Sequence, residues 1–434
     1  MEREQASKFL QDLLKLMMSR GGSDLFLTAD FPPAFKIDGK VAPVSPVPLS
    51  PQHTVELARA LMNDRQAAEF EAHKEANFAI SPTGIGRFRV NAFMQQGRVG
   101  IVMRTFSDRA LAIQPTGVRK MFDLAGDDVI SFGLGEPDFQ PPPVAIEAFY
   151  QAMKDGRNKY TTTAGLPALR KKIAESWSAY QGGMDENNVC MTMSGTNALL
   201  NLFMTLVNPG ENILLPEPYF PLYGPDATLV GGEGKYYPCL FEHAFIPQIE
   251  DLESLVDEHT VAILYNFPSN PTGGTLTIEQ RDALLAFARK HDLWIISDEV
   301  YDRIVFEDDH VSFMGTGYEK LMVVNSFSKT FAMTGWRIGY IVSTNIEAMQ
   351  QVIKIQYYIS ACSNDAMQYA VLEAMEKAND YPTMMAKEFQ ERCNLIVDRL
   401  NAMPGVQCHR PKGAIYVFPK VEVSGMTSEE VALE

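Results

Sequence analysis

Four short stretches of this chain carry residue types that could do chemistry together. Ser194-Gly195-Thr196-Asn197 would open a helix, and Ser269-Asn270-Pro271-Thr272-Gly273 would make a turn. Asp298-Glu299-Val300-Tyr301 offers two carboxylates and a phenol. Ser326-Phe327-Ser328-Lys329 offers hydroxyls and an amine, and Gly335-Trp336-Arg337-Ile338-Gly339-Tyr340 follows it. A lysine relieved of its charge is a nucleophile and a base. A helix start favours an anion, and an arginine fork binds phosphate oxygens in pairs. Taken singly, each stretch has an ordinary explanation. Ser-Gly-Thr is a cap, Asn-Pro-Thr-Gly a turn, Asp-Glu after a strand an exposed loop edge, and a loop lysine a solvated one.

The elements before them give the set its meaning. Residues 189–193, 212–215, 261–265, 293–297 and 321–325 are short apolar runs without polar alternation, as expected of parallel strands buried on both faces. Amphipathic segments intervene, such as 277–290 with Leu284, Leu285 and Ala288 on one face. This alternation predicts an α/β fold, a mainly parallel sheet with helices on both faces. Ligands of such sheets sit outside the carboxyl ends of the strands, where these clusters fall.

The composition excludes several other functions. The chain has 434 residues, 46% hydrophobic and 21% charged, so a large core can form. Its net charge of −16, with no Lys/Arg block, argues against nucleic acid or an anionic membrane as partner. The five cysteines form no CxxC pair and the seven histidines no HExxH, so neither a disulfide framework nor a metal site is expected. No apolar run reaches the roughly 18 to 20 residues of a membrane span, and the acidic start Met1-Glu2-Arg3-Glu4 lacks a signal-peptide core. A cytoplasmic location is expected.

The first hundred residues read as a separate α+β unit. Phe9, Leu10, Leu13, Leu14, Met17 and Met18 stand at helical spacing, and Gly21-Gly22 follows as a stop. Residues 24–28 read as a strand, and 35–41 as a hairpin turning at Asp38-Gly39. Ser50 is placed to cap a helix through Met62, and 77–104 alternates as strands with turn glycines Gly84, Gly86 and Gly97. Gly21-Gly22-Ser23-Asp24-Leu25, Pro32-Pro33 and Gly86-Arg87-Phe88-Arg89-Val90-Asn91-Ala92-Phe93 resemble the N-terminal domain of type IV pilus retraction ATPases over about residues 8–104. The resemblance implies a fold for this segment and a hexamer-type contact surface, with pilus motor subunits as candidate partners. It implies no ATP hydrolysis, because GxxxxGK[ST] occurs nowhere in the chain.

From about residue 107 onward, the four clusters resemble fold-type I aminotransferases of class I/II, in the aspartate aminotransferase superfamily. Gly133-Leu134-Gly135-Glu136-Pro137-Asp138-Phe139, Lys159-Tyr160 and Gly165-Leu166-Pro167-Ala168-Leu169-Arg170 add to the match. The resemblance implies pyridoxal 5'-phosphate (PLP) as cofactor, an L-amino acid and a 2-oxo acid as substrates, and a homodimer. By the same resemblance, Lys329 anchors the cofactor and moves a proton, while Asp298 pairs with its ring nitrogen. Asn270 and Tyr301 match partners of its phenolic oxygen. Gly195, Thr196, Ser326 and Arg337 match the phosphate clamp, with Ser328 a further candidate there. Tyr160 matches a residue reaching the neighbouring subunit's phosphate, Phe220 one stacking on the ring, and Gly135, like Asn270, one near the substrate.

The expected organisation is an ATPase-like N-terminal domain over 1–105, an arm and part of a small domain over 106–150, a PLP-binding large domain over 151–385, and an incomplete small domain over 386–434. The family pattern continues past Gly413-Ala414-Ile415-Tyr416-Val417-Phe418-Pro419 with a helix, strands and an arginine for the substrate carboxylate. Residues 420–434 hold no counterpart of that arginine, which leads to the expectation of a formed PLP pocket with impaired transamination. Two family patterns joined without a Gly/Ser- or Pro-rich linker read as a fusion, a rearranged reading frame or an engineered chimera. Two alternatives stay open: a non-catalytic fusion that assembles with pilus motor subunits, and another fold-type I reaction such as a lyase or decarboxylase.

Overall fold

The computed structural model describes residues 3–37, 39–82, 84–105, 113, 133, 135–307, 309–422 and 425–433. Asp38 of the expected hairpin turn, Leu134, and nearly all of 106–132, expected to carry the junction and the arm, lie outside the described residues. Two compact units divide the chain, Met1–Gln114 and Pro115–Glu434.

In the first unit, α1 (Arg3–Ser19) buries Ala6, Leu10, Leu13, Leu14 and Met17, the stripe its spacing predicts. Strands β1 (Asp24–Thr28), β2 (Ala34–Ile37), β3 (Lys40–Pro43), β4 (Glu75–Ile80), β5 (Phe88–Gln95) and β6 (Arg98–Thr105) form one antiparallel sheet in the order β3-β2-β1-β6-β5-β4. The alternating residues Phe88, Val90, Ala92, Ile101 and Met103 face the unit's core. Helix α2 (Pro51–Leu61) starts at Ser50, whose Oγ accepts from the His53 amide while His53 Nδ1 accepts from the Ser50 amide. Helix α3 (Asp64–His73) is a feature the sequence reading does not anticipate. It buries only Phe70, so its sequence shows no apolar stripe, and its one signal is the Asn63–Gln66 capping pair.

The second unit holds β7 (Val189–Thr192), β8 (Asn212–Glu217), β9 (Glu233–Pro238), β10 (Thr260–Asn266), β11 (Trp294–Asp298), β12 (Leu321–Ser326) and β13 (Gly339–Val342) in one seven-stranded sheet, ordered β7-β13-β12-β11-β10-β8-β9. Neighbours run parallel except at β13, which is antiparallel to both β12 and β7. The helices around it are α4 (Pro143–Lys154), α5 (Pro167–Ser176), α6 (Gly195–Leu206), α7 (Tyr223–Val230), α8 (Ile249–Leu255), α9 (Ile278–Lys290), α10 (Phe327–Thr330), α11 (Ile346–Ser360) and α12 (Asp365–Lys377). The chain continues through α13 (Tyr381–Asn401), the small hairpin β14 (Val406–Gln407) and β15 (Lys420–Val421), and α14 (Ser428–Leu433).

Successive strand residues fill two cores. Leu214, Ile263, Ile295 and Val323 pack under Leu169 and Ile173 of α5, Leu284 of α9 and Val371 of α12. Ile213, Leu264, Ile296 and Val324 pack under Leu199 and Leu202 of α6, Ala227 of α7 and Val352 of α11. Each fully buried aliphatic side chain stabilises the fold by roughly 1.5 to 3 kcal/mol. This two-sided burial is why the runs read as unbroken apolar segments. Among the described residues, no helix is long and apolar enough to cross a membrane.

Candidate active site

Lys329 lies on α10, a helix of four residues at the end of β12. Ser326 caps it, its Oγ accepting from the Ser328 amide at 3.2 Å. The Lys329 ammonium donates to the Gly135 carbonyl, and its Nζ stands 5.6 Å from the centroid of the Tyr301 ring. Burial brings the Lys329 ammonium down to about 8, with Glu136 opposing and Arg337 assisting.

Asp298 ends the neighbouring parallel strand β11 and is 3% exposed. Its Oδ2 accepts from the Tyr223 hydroxyl at 2.7 Å, and its Oδ1, among the described residues, only from the Val300 amide at 3.4 Å. Burial raises the Asp298 carboxyl to about 6 against those two bonds, with the Glu299 charge adding to the rise. The next carboxylate belongs to the framework. Glu299 Oε1 accepts from Ser297 and Ser312 at 2.8 and 3.0 Å, and its Oε2 lies 2.6 Å from His310 Nε2. Both Glu299 oxygens are thus taken up by the framework, and Glu299 pins the strand end that presents Asp298.

Asn270 and Tyr301 meet each other and a third side chain, Tyr416. The Tyr301 and Tyr416 hydroxyls lie 2.6 Å apart, and Asn270 Nδ2 donates to Tyr416 Oη at 3.2 Å. Burial holds the Tyr301 hydroxyl well above its ordinary range.

At the other end, α6 begins at Gly195 after β7. Ser194 caps it by accepting from the Asn197 amide at 3.0 Å, and its Oγ lies 2.7 Å from Thr196 Oγ1. Arg337 donates to the Thr334 carbonyl at 2.8 Å and to Thr196 Oγ1 at 3.3 Å. Ser326 Oγ lies 2.9 Å from Ser328 Oγ and 3.1 Å from the Ile338 carbonyl. Gly339 permits this arrangement: a Cβ there would fall 2.7 Å from the Gly195 nitrogen, inside any van der Waals contact.

Lys329, Asp298, Tyr301, Asn270 and Gly135 thus stand around one centre, with Gly195, Thr196, Ser326, Ser328 and Arg337 at its anion-favouring end. Phe220 is half-buried and meets Tyr223 edge-on, with ring centroids 5.6 Å apart. Tyr160 is 90% exposed, and no described hydrogen bond joins it to the others. Tyr223 and Tyr416 are the residues the sequence reading missed. Tyr223 lies in the aromatic stretch that suggested Phe220, and Tyr416 in the Gly413–Pro419 run; neither shows its partner without the fold.

The model for class I and II aminotransferases matches residues 127–433. The aspartate aminotransferase of Pyrococcus abyssi is 37% identical over 333 residues, covering 75% of this chain and 85% of that protein. That of Pyrococcus horikoshii is 34% identical over 330 residues, 75% of this chain and 84% of the relative. Among solved structures, an alanine aminotransferase from Pyrococcus furiosus superposes with a TM-score of 0.70 at 32% identity, over 75% of this chain and 87% of its own. A Thermus thermophilus aspartate aminotransferase mutant gives 0.69 at 32% identity, over 73% and 85%. By family, relatives and fold alike, the chain belongs to the class I and II aminotransferases and is a PLP-dependent enzyme.

Proposed function

We propose that the site around Lys329 and Asp298 exchanges an amino group between an L-amino acid and a 2-oxo acid. The carrying observation is a buried amine brought to about 8 and a buried carboxyl raised to about 6, at the ends of adjacent parallel strands. The donor set fits PLP. The second oxygen of Asp298, with only one long bond, suits a protonated ring nitrogen, and the hydroxyls, helix start and guanidinium suit a phosphate.

PLP, when bound, supplies an electron sink for charge developing at the substrate α-carbon. Lys329 would anchor it and, once released, carry a proton to and from that carbon; an amine near 8 suits both directions. Asp298 would hold the ring nitrogen in its protonated form. Asn270 and Tyr301 would hold the phenolic oxygen, Phe220 the ring face, and Gly195, Thr196, Ser326, Ser328 and Arg337 the phosphate. Gly135 and Asn270 would line the substrate side. Tyr160, exposed on one copy, would serve the phosphate of a second copy in a homodimer.

The test is the visible spectrum of the purified, PLP-loaded chain before and after amino acids, starting with aspartate because relatives carry that name. The band is expected to shift with an amino donor, to return with 2-oxoglutarate, and to be absent in Lys329→Ala. Release of an amine or an eliminated fragment in place of a 2-oxo acid would move the assignment to a decarboxylase or lyase.

For the first unit we propose an assembly role like that of the N-terminal domain of pilus retraction ATPases, in a cytoplasmic protein. Its support is the set of motif residues at Gly21–Leu25 and Gly86–Phe93, which fall on the start of β1 and on β5. Asp24 accepts there from Ser23 Oγ at 2.8 Å and from Arg104 Nε at 2.7 Å. Capture of pilus motor subunits by the full chain tests this role, and failure to retain any would remove it.

A further inference from the structure

We propose that Tyr416 is a positioning residue of the site, acting through Tyr301 to strengthen the hydrogen bond that Tyr301 gives the cofactor's phenolic oxygen. The inference rests on the reading of the site as a PLP pocket and adds to it a residue from another part of the chain. Tyr416 follows Ala414, whose amide donates to the Ile304 carbonyl at 2.9 Å and ties this stretch to the segment after Tyr301. Tyr416 also packs on Gly135 so closely that a Cβ at that position would fall 2.9 Å from its Cε1 and Cζ. The Gly135 carbonyl is the one that accepts from Lys329. One phenol therefore touches Tyr301, Asn270 and the backbone that holds the lysine.

The order of donors sets the effect. The Asn270 amide nitrogen can only donate, and it donates to Tyr416 Oη. The Tyr416 and Tyr301 hydroxyls lie 2.6 Å apart, and when Tyr301 gives its own proton to the cofactor's phenolic oxygen, Tyr416 is left as the donor across that contact. A hydroxyl that accepts a hydrogen bond gives its own proton more strongly, so Tyr301 becomes the better donor toward the pocket. The charged and titratable groups around this cluster are Lys329, Asp298, Glu136 and Arg337, with the Tyr223 phenol on Asp298.

The experiment is a pH titration of the visible absorption band of the PLP-loaded full chain. Tyr416→Phe keeps the ring and removes the hydroxyl. A weaker Tyr301 donor leaves more negative charge on the phenolic oxygen, which holds the neighbouring nitrogen's proton to higher pH. The midpoint should rise by about half a pH unit in Tyr416→Phe. It should rise further in Tyr301→Phe, and the double variant should match Tyr301→Phe, since Tyr416 acts through Tyr301. A midpoint that stays or falls in Tyr416→Phe, or a double variant that shifts well past Tyr301→Phe, would overturn the proposal. A wild-type chain with no titrating band would instead overturn the PLP reading on which it rests. A thermal melt of each variant monitors the fold separately.

Discussion

The Tyr223 hydroxyl donates to Asp298 Oδ2 at 2.7 Å, joining the start of α7 to the end of β11. A buried carboxylate needs such donors to remain charged, and a hydrogen bond to a charged group contributes about 1.5 to 3 kcal/mol. The bond thus fixes both the direction and the charge of the group proposed to face the cofactor's ring nitrogen.

Two substitutions separate charge from orientation. Asp298→Asn removes the charge, so loss of kcat by about a thousandfold or more is expected, with the cofactor still held by its phosphate end. Tyr223→Phe keeps the charge and removes the bond, and a drop of about tenfold to a hundredfold is expected. Steady-state kinetics at saturating PLP checks both. Equal losses would mean that Asp298 acts only as a structural anchor for Tyr223.

Lys329 should control the pH dependence of cofactor capture. Its ammonium is brought down to about 8, mainly by burial, and only the neutral amine attacks a carbonyl. In the cofactor-free chain the rate of PLP capture should therefore rise about tenfold per pH unit below 8 and level off above it. Stopped-flow absorbance measures this directly. A profile still rising steeply at pH 10 would show an unperturbed lysine. Lys329→Ala should bind PLP without covalent capture at any pH.

The site was legible in the sequence to the extent that its residues follow buried strands. Runs such as 261–265 and 321–325 mark strand ends, and Asn270, Asp298 and Lys329 come soon after them. Strand β13 escaped because it has four residues, two of which belong to the Gly335–Tyr340 motif that reads as loop. Strand β9 escaped because it sits at the sheet edge, and only Tyr237 among its residues is buried. Tyr223 and Tyr416 act through partners 75 and 115 residues away, Asp298 and Tyr301. Local spacing carries no trace of contacts that distant, and only folding brings them together.

Gly339 ties the sheet to the proposed phosphate site. Its Cα leaves no room for a Cβ against the Gly195 nitrogen at 2.7 Å, and that contact is backbone, which cannot rotate away. Gly339→Ala should push β13 from the start of α6, costing about 1 to 3 kcal/mol of stability and weakening PLP binding by about tenfold or more. Equilibrium dialysis with PLP checks the affinity, and unchanged binding would separate the helix start from the phosphate.

Asp226, one turn from Tyr223 on α7, is a buried carboxylate whose Oδ2 has no hydrogen-bond partner among the described residues. Burial raises it from 3.8 to about 7. Between those values the folded chain holds a proton that the unfolded chain has released, so stability falls as pH rises from about 4 to about 7, and the loss is complete above that. Full burial of the charge would cost on the order of 2 to 4 kcal/mol. Asp226→Asn carries no charge at any pH. It should be more stable than the wild type at pH 8 by about that amount, and the difference should shrink toward pH 4. Urea unfolding followed at pH 4, 6 and 8 gives the comparison, and parallel stabilities across that range would mean that Asp226 ionises in the fold without penalty.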